Sequence, residues 1–377
     1  MKKILLWALK IILVIFIGFI LILASGFFAV RFGLTNIAGE EDADSFKYNQ
    51  TAKKIEVITA INNNGAGLPV INSIYGPNEA NNRCKLAVAG RYNDYIASVI
   101  LKAYINSRSE ALLDKMLLAM ELRLPDSQVF ETELTACEQS AGNPPTLEEL
   151  TLLFANPKNK NLYTWQDGEP WKIIKEAIIK DQAIINEVSL KTDIQPRLLV
   201  STAIVEQIRL YYTQRELFEK VFKPLKILAN ANKMAWGVMS IKEKTAIQTE
   251  EYLKDEKSPF YPGDKYKNLL DFPAGVDQAK ERYNRLTDEH SHYYSYLYGA
   301  LIIKEVQAQW EKAGYNIKYR PEIIATLFNT GFNNSQPKEN PIVGGSTIDI
   351  DGAKYFFGSL AYEFYYSGEL VEKFSFK

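Results

Sequence analysis

Three short stretches of this chain carry side chains with chemistry in reach. The first runs over residues 193–207 and ends in Glu206-Gln207 after a largely apolar approach from Leu198 to Val205. On a helix turning about 100° per residue, Glu206 projects beside Leu199 and Leu210 on one side and Thr202 on the other. A carboxyl at such a border is partly desolvated. Desolvation raises carboxyl pKa values in general and suits such a group to general acid work, which glycosidic cleavage requires. Taken alone, the same pattern is the polar edge of an amphipathic helix.

The second stretch is Ala235-Trp236-Gly237-Val238-Met239-Ser240-Ile241, continued by Thr245-Ala246. A glycine between bulky apolar residues indicates close backbone approach, and a buried turn is the plainer interpretation. The third is Ala325-Thr326-Leu327-Phe328-Asn329-Thr330-Gly331, a helix end with Gly331 as its stop.

Taken together and in order, the three stretches resemble the lysozyme-like domain of the soluble lytic transglycosylases and, more distantly, goose-type lysozyme, over residues 170–335. That family pairs a helix ending in Glu-Ser with a Gly-Leu-Met-Gln-Ile segment followed by Thr-Ala, and then an Ala-Tyr-Asn-Ala-Gly segment. Glu206 matches the catalytic acid/base. Gly237, Met239, Ile241, Thr245 and Ala246 match the second motif, and Asn329 and Gly331 the third. The sequence departs at Gln207 for Ser, Ser240 for Gln and Phe328 for Tyr.

The resemblance implies one-carboxyl catalysis on peptidoglycan, with Glu206 protonating the glycosidic oxygen and then withdrawing a proton from the muramyl 6-hydroxyl to leave a 1,6-anhydro end. Attack by water instead would make a lysozyme-type hydrolase, with Glu216 or Glu219 as possible water-positioning carboxylates. No cofactor and no metal is implied. Gly237, Met239, Ser240, Ile241, Phe328 and Asn329, with Tyr211 and Trp236, are the expected glycan contacts. Tyr212, Tyr261, Tyr293 and Tyr294 are further aromatic candidates, although such residues more often simply pack. The three departures motivate a rival class, a non-catalytic wall-binding or scaffolding protein that keeps the groove. A tethered component of a secretion or conjugation apparatus would use the same wall-opening chemistry with other partners.

Other chemistries find little support. His290 and His292 are the only histidines, and a spacing of two does not share a helical face, so a metal site is not expected. Gly344-Gly345-Ser346 lacks the lysine and context of a phosphate loop. Among 377 residues, 44 Lys and Arg face 45 Asp and Glu, but Lys2, Lys3, Lys10 and Arg31 precede any acid. Subtracting those four leaves 40 bases against 45 acids, a net −5. Such a body lacks the positive field that nucleic acid requires.

The elements that position these residues are expected behind a membrane anchor. Residues 11–30 form an uncharged apolar run of about 30 Å as a helix, roughly one bilayer core. Lysines before it and acids after it place residues 1–10 in the cytoplasm and the body outside it, in the periplasm or an equivalent extracytoplasmic space. The run exceeds a usual signal-peptide core. Residues 31–65 are expected as a tether, 66–165 as a helical accessory region, and 166–377 as the lysozyme-like, α-rich domain. Cys84 and Cys137 lie in the exported part, where a disulfide is possible and two buried thiols equally so.

Helical periodicity is expected over 96–122, 171–189, 195–212, 274–288, 292–313 and 321–329, with a capping box opening at Thr146. The alternation at 346–350 followed by Asp351-Gly352 predicts one arm of a hairpin. The expected fold is mainly α.

Overall fold

A computed structural model describes residues 79–212 and 235–376, together with residues 7, 10, 16–18, 21 and 25. The expected tether, and with it most of the apolar run at 11–30, lies outside the described residues. Among the described residues, no helix is long and apolar enough to cross a membrane.

The chain is mainly helical. Its first described region comprises α1 (Glu79–Tyr92), α2 (Asp94–Ser107), α3 (Glu110–Glu121), α4 (Ser127–Gln139) and α5 (Leu147–Leu153). The single helix expected over 96–122 is two helices. Arg108 takes a left-handed conformation with φ of 52°, and the Ser109 hydroxyl accepts from the Leu112 amide at 3.2 Å to start α3 afresh. Continuous apolar periodicity concealed this stop, because both helices turn their apolar faces to one core. Cys84 and Cys137 form a disulfide between α1 and α4. At α5, Thr146 and Glu149 exchange hydrogen bonds in a reciprocal capping box.

The remainder comprises α6 (Glu169–Lys180), α7 (Gln182–Thr192), α8 (Pro196–Tyr212), the short pair β1 (Ala235–Trp236) and β2 (Ile241–Lys242), α9 (Glu243–Tyr252), α10 (Gln278–Thr287), α11 (Tyr293–Lys312), α12 (Pro321–Thr330), β3 (Thr347–Ile350), β4 (Ala353–Phe356) and α13 (Phe357–Tyr366). The helix expected over 171–189 breaks at Asp181. That carboxylate turns inward to the His292 ring nitrogen at 2.6 Å and accepts from the Tyr296 hydroxyl at 3.0 Å. The expected 274–288 helix starts later, where Asp277 caps the Ala279 and Lys280 amides. Pro196 and Pro321 open α8 and α12, where a missing N–H costs nothing.

Helix α8 lies at the centre, packed against α6, α7, α11, α12 and α13. Leu199, Val200, Ala203, Ile204 and Val205 are wholly buried, so this helix is enclosed on every side. The helix α13 that covers it returns from the far end of the chain. Antiparallel β3 and β4 precede α13, with Ile350 opposite Ala353 and both Asp351 and Gly352 at positive φ, the geometry of a tight primed turn.

Helix α13 also packs against α3, so the residues on either side of 165 share one core. Phe357, Leu360, Tyr362 and Phe364 are fully buried there, each contributing about 1.5–3 kcal/mol of transfer free energy. Polar contacts fix the register. Glu363 accepts from Arg123 of the α3–α4 connection and from the Trp165 indole, and the Tyr362 hydroxyl donates to the Lys115 carbonyl at 3.1 Å.

Candidate functional site

Glu206 sits three turns into α8, at the end of its enclosed portion, with 3 % of its surface accessible. This corrects the expectation of a carboxyl on an amphipathic border. Burial on all sides demands a polar partner, and Arg209, one turn on, supplies it. Its Nε and Nη2 donate to the same oxygen, Oε2, at 3.1 and 2.5 Å. The guanidinium also reaches the Ser240 hydroxyl at 3.4 Å. Arg209 was the residue the sequence reading missed, although the spacing i, i+3 from an acid on a helix is itself a pairing signal.

The 237–240 turn is held over this helix by short-range constraints. Gly237 has φ of 70°, and an added Cβ would stand 2.2 Å from the Leu286 carbonyl oxygen and 2.6 Å from Ser295 Oγ. Only glycine fits that approach. The Ser240 amide donates to the Gly237 carbonyl at 3.0 Å and closes the turn, with Ser240 itself left-handed at φ of 51°. The Met239 amide donates to Ser295 Oγ at 3.1 Å, and its side chain fills the space left by Gly299 on α11. Ile241 and Ala246 are buried behind the turn.

Gln207 turns out to be a structural contact. Its side-chain amide donates to the Val238 carbonyl at 2.6 Å, so Gln207 clamps the turn to α8. The helix that carries the first stretch therefore meets the second, through Gln207 to Val238 and Arg209 to Ser240.

The third stretch connects differently. The Asn329 side-chain oxygen accepts from the Ser346 amide at 2.8 Å and its hydroxyl at 3.0 Å, anchoring the strand that leads into β3. Phe328 packs partly buried against the core, and Gly331, with φ of 86°, ends α12. Asn329 thus holds the hairpin, and β3 packs on α8. In this arrangement the Asn329 side-chain oxygen supports a neighbouring element.

Of the aromatic candidates, Tyr211 is 49 % exposed beyond the enclosed part of α8 and lies edge-on to Tyr212 at 5.3 Å. Burial, and then the nearby Asp351 charge, raise the Tyr212 phenol above its ordinary value. Tyr261 is bound to Asp264, Tyr293 accepts from Lys191, and Tyr294 lies under the Arg285 guanidinium. The side chain of Trp236, and both Glu216 and Glu219, fall outside the described residues. His292 is engaged by Asp181, and among the described residues no group of three or more His, Cys, Asp or Glu is arranged to hold a metal.

The assembled site is a buried carboxylate, a guanidinium shared with a hydroxyl, and a glycine-dependent turn, beside an exposed tyrosine. As arranged, Glu206 is an acceptor. Both Arg209 bonds fall on Oε2 and neither on Oε1. No protein-family model, curated protein or solved structure matches this chain.

Proposed function

We propose that this protein is a membrane-anchored peptidoglycan lytic transglycosylase with a lysozyme-like domain, tethered by residues 11–30 and working on the extracytoplasmic face. The observation that carries the proposal is the meeting of the Glu206 helix with the 237–240 turn through two independent side-chain contacts. In the proposed reaction the Glu206 proton passes to the glycosidic oxygen as the C1–O bond breaks. The resulting carboxylate then takes the proton of the muramyl 6-hydroxyl as its oxygen bonds to C1. Protons and bonds balance without water.

Incubating the full chain in detergent with purified sacculi is expected to release anhydromuropeptides detectable by mass spectrometry. Glu206→Gln should reduce that release at least about 100-fold, the low end of general acid–base contributions. Undiminished release would reject Glu206.

A second reading, a non-catalytic wall-binding or scaffolding protein, is favoured by one specific observation. The buried Arg209–Glu206 ion pair favours the charged carboxylate over the protonated form a proton donor needs. Retention on sacculi with no released sugar would decide for it, and Phe328→Tyr restoring release would mark a decayed enzyme.

A further inference from the structure

A cleft of about 830 Å³ opens between α9, α10 and the 253–272 connection, and none of the residues around Glu206 lines it. Its wall includes a built polar core. Arg282 is buried and grips Glu250 with two parallel bonds, Nε to Oε1 at 2.6 Å and Nη2 to Oε2 at 2.5 Å, while the Tyr298 hydroxyl donates to the same carboxylate. Phe272 lies over the guanidinium groups of Arg282 and Arg285, 5.4 and 4.6 Å from its ring centre. Those arginines are three apart on one helix. Phe272 itself lines the cleft.

The charges facing this space decide the ligand class. All three bases are committed: Arg282 to Glu250, Lys254 to Asp271 and Lys267 to Glu256. Glu251 and Asp255 line the cleft with no ion-pair partner among the described residues. A phosphate or carboxylate ligand would meet uncommitted negative charge and no spare cation. A purely apolar ligand would strand the carboxylates, and a lone cation would gain little, because both acids are exposed and hydrated. A saccharide fits, with hydroxyls donating to carboxylate acceptors and a ring stacking on Phe272. The volume lies inside the roughly 300–1,000 Å³ range of small-ligand sites.

We infer that this cleft is a saccharide-binding subsite that holds the glycan strand away from Glu206. The inference rests on the proposed action on glycan for its biological ligand, but on the cleft alone for its chemistry. Helix α10 links the two places. Gln278 and Arg282 line the cleft, and the Leu286 carbonyl closes on Gly237, roughly 12 Å along the helix axis from Gln278. A strand seated in the cleft is thereby set in register with the turn.

The test is calorimetric titration of the full chain in detergent with a tetramer of N-acetylglucosamine, in the Glu206→Gln background to prevent turnover. Binding is expected, and Phe272→Ala should weaken it at least tenfold. Because Phe272→Ala also strips cover from two arginines, Glu251→Gln serves as a second variant at an exposed position, expected to weaken binding about threefold with an unchanged melting point. No binding by the parent, or equal binding by parent and both variants, overturns the inference. Failure of the transglycosylase reading looks different: Glu206→Gln would leave sugar release unchanged, or none would occur, while cleft-dependent binding persisted.

Discussion

Glu206 and Glu363 are both buried carboxylates gripped by arginine, and they differ in how far the arginine has travelled. Arg209 lies three residues from Glu206 on the same helix, so that pair can form as soon as α8 does. Arg123 comes to Glu363 from 240 residues away and brings the α3–α4 connection onto α13. The distant pair specifies tertiary structure. The local one specifies only the state of its own helix. Burial raises the Glu363 carboxyl above its ordinary value, although the Arg123 charge draws it down.

The sharpest way to break the comparison is Arg123→Ala. It strands Glu363 in the core, removes the guanidinium stacked 3.7 Å over Tyr355, and is expected to destabilise by about 3–5 kcal/mol in denaturant titration. Glu363→Gln in the same chain should recover part of that loss, since no unpaired charge then remains. A loss under about 1 kcal/mol would mean that water reaches the seam.

Arg209→Ala should cost less, about 1–3 kcal/mol, because the α8 end opens to solvent within two residues at Tyr211. Its more telling readout is sacculus digestion. If Arg209 acts on the reaction through Glu206, sugar release changes in its pH profile as well as its rate. Arg123→Ala, remote from the turn, should leave that profile in place.

A third glutamate sharpens the contrast by having no arginine at all. Both carboxyl oxygens of Glu305, on α11, are buried without a partner at normal hydrogen-bond geometry. The Thr249 hydroxyl alongside is already donating to the Thr245 carbonyl. Burial holds the Glu305 carboxyl well above its ordinary value. The folded state therefore binds the proton more tightly than the unfolded chain, and stability falls as pH rises above about 4.5, by up to about 1.4 kcal/mol per pH unit while the folded chain alone keeps its proton. Glu305→Gln should flatten that slope and leave the protein no less stable at neutral pH. An unchanged slope would assign the effect to another group.

What the sequence made legible follows the same division between near and far. The Thr146 capping box, the proline starts of α8 and α12, and the Asp351-Gly352 turn are decided within a few residues, and each is visible in the string. The stop at Arg108-Ser109 is also local, but an unbroken apolar period conceals it. The burial of Glu206 was not legible, because the helix that encloses α8 starts at Phe357. The backbone contacts of Asn329 and Gln207 were not legible for a related reason. A carboxamide can serve a sugar or a backbone, and only the positions of Ser346 and Val238 decide between them. The cleft around Arg282 left no signal, since its walls come from segments each ordinary in composition.

The smallest expected effect tests a junction that is local on one side and distant on the other. Asp181, where α6 ends and α7 begins, holds His292 at the start of α11, and its hydrogen bond raises the imidazole above its ordinary value. Lys180 opposes that rise, while Asp288 adds to it, and the Tyr296 hydroxyl shares the same Asp181 oxygen. The folded chain thus holds the His292 proton more tightly than the unfolded one. The pair's contribution is complete below about pH 6.5 and is lost as pH rises through the raised folded-state value. Replacing His292 by Gln should lower the melting point more at about pH 6 than at about pH 9, and Asp181→Asn should remove that difference. An equal effect at both pH values would show that the junction is held by packing and the Tyr296 bond alone. In that case this corner behaves as the core around α8 does, and not as a paired charge.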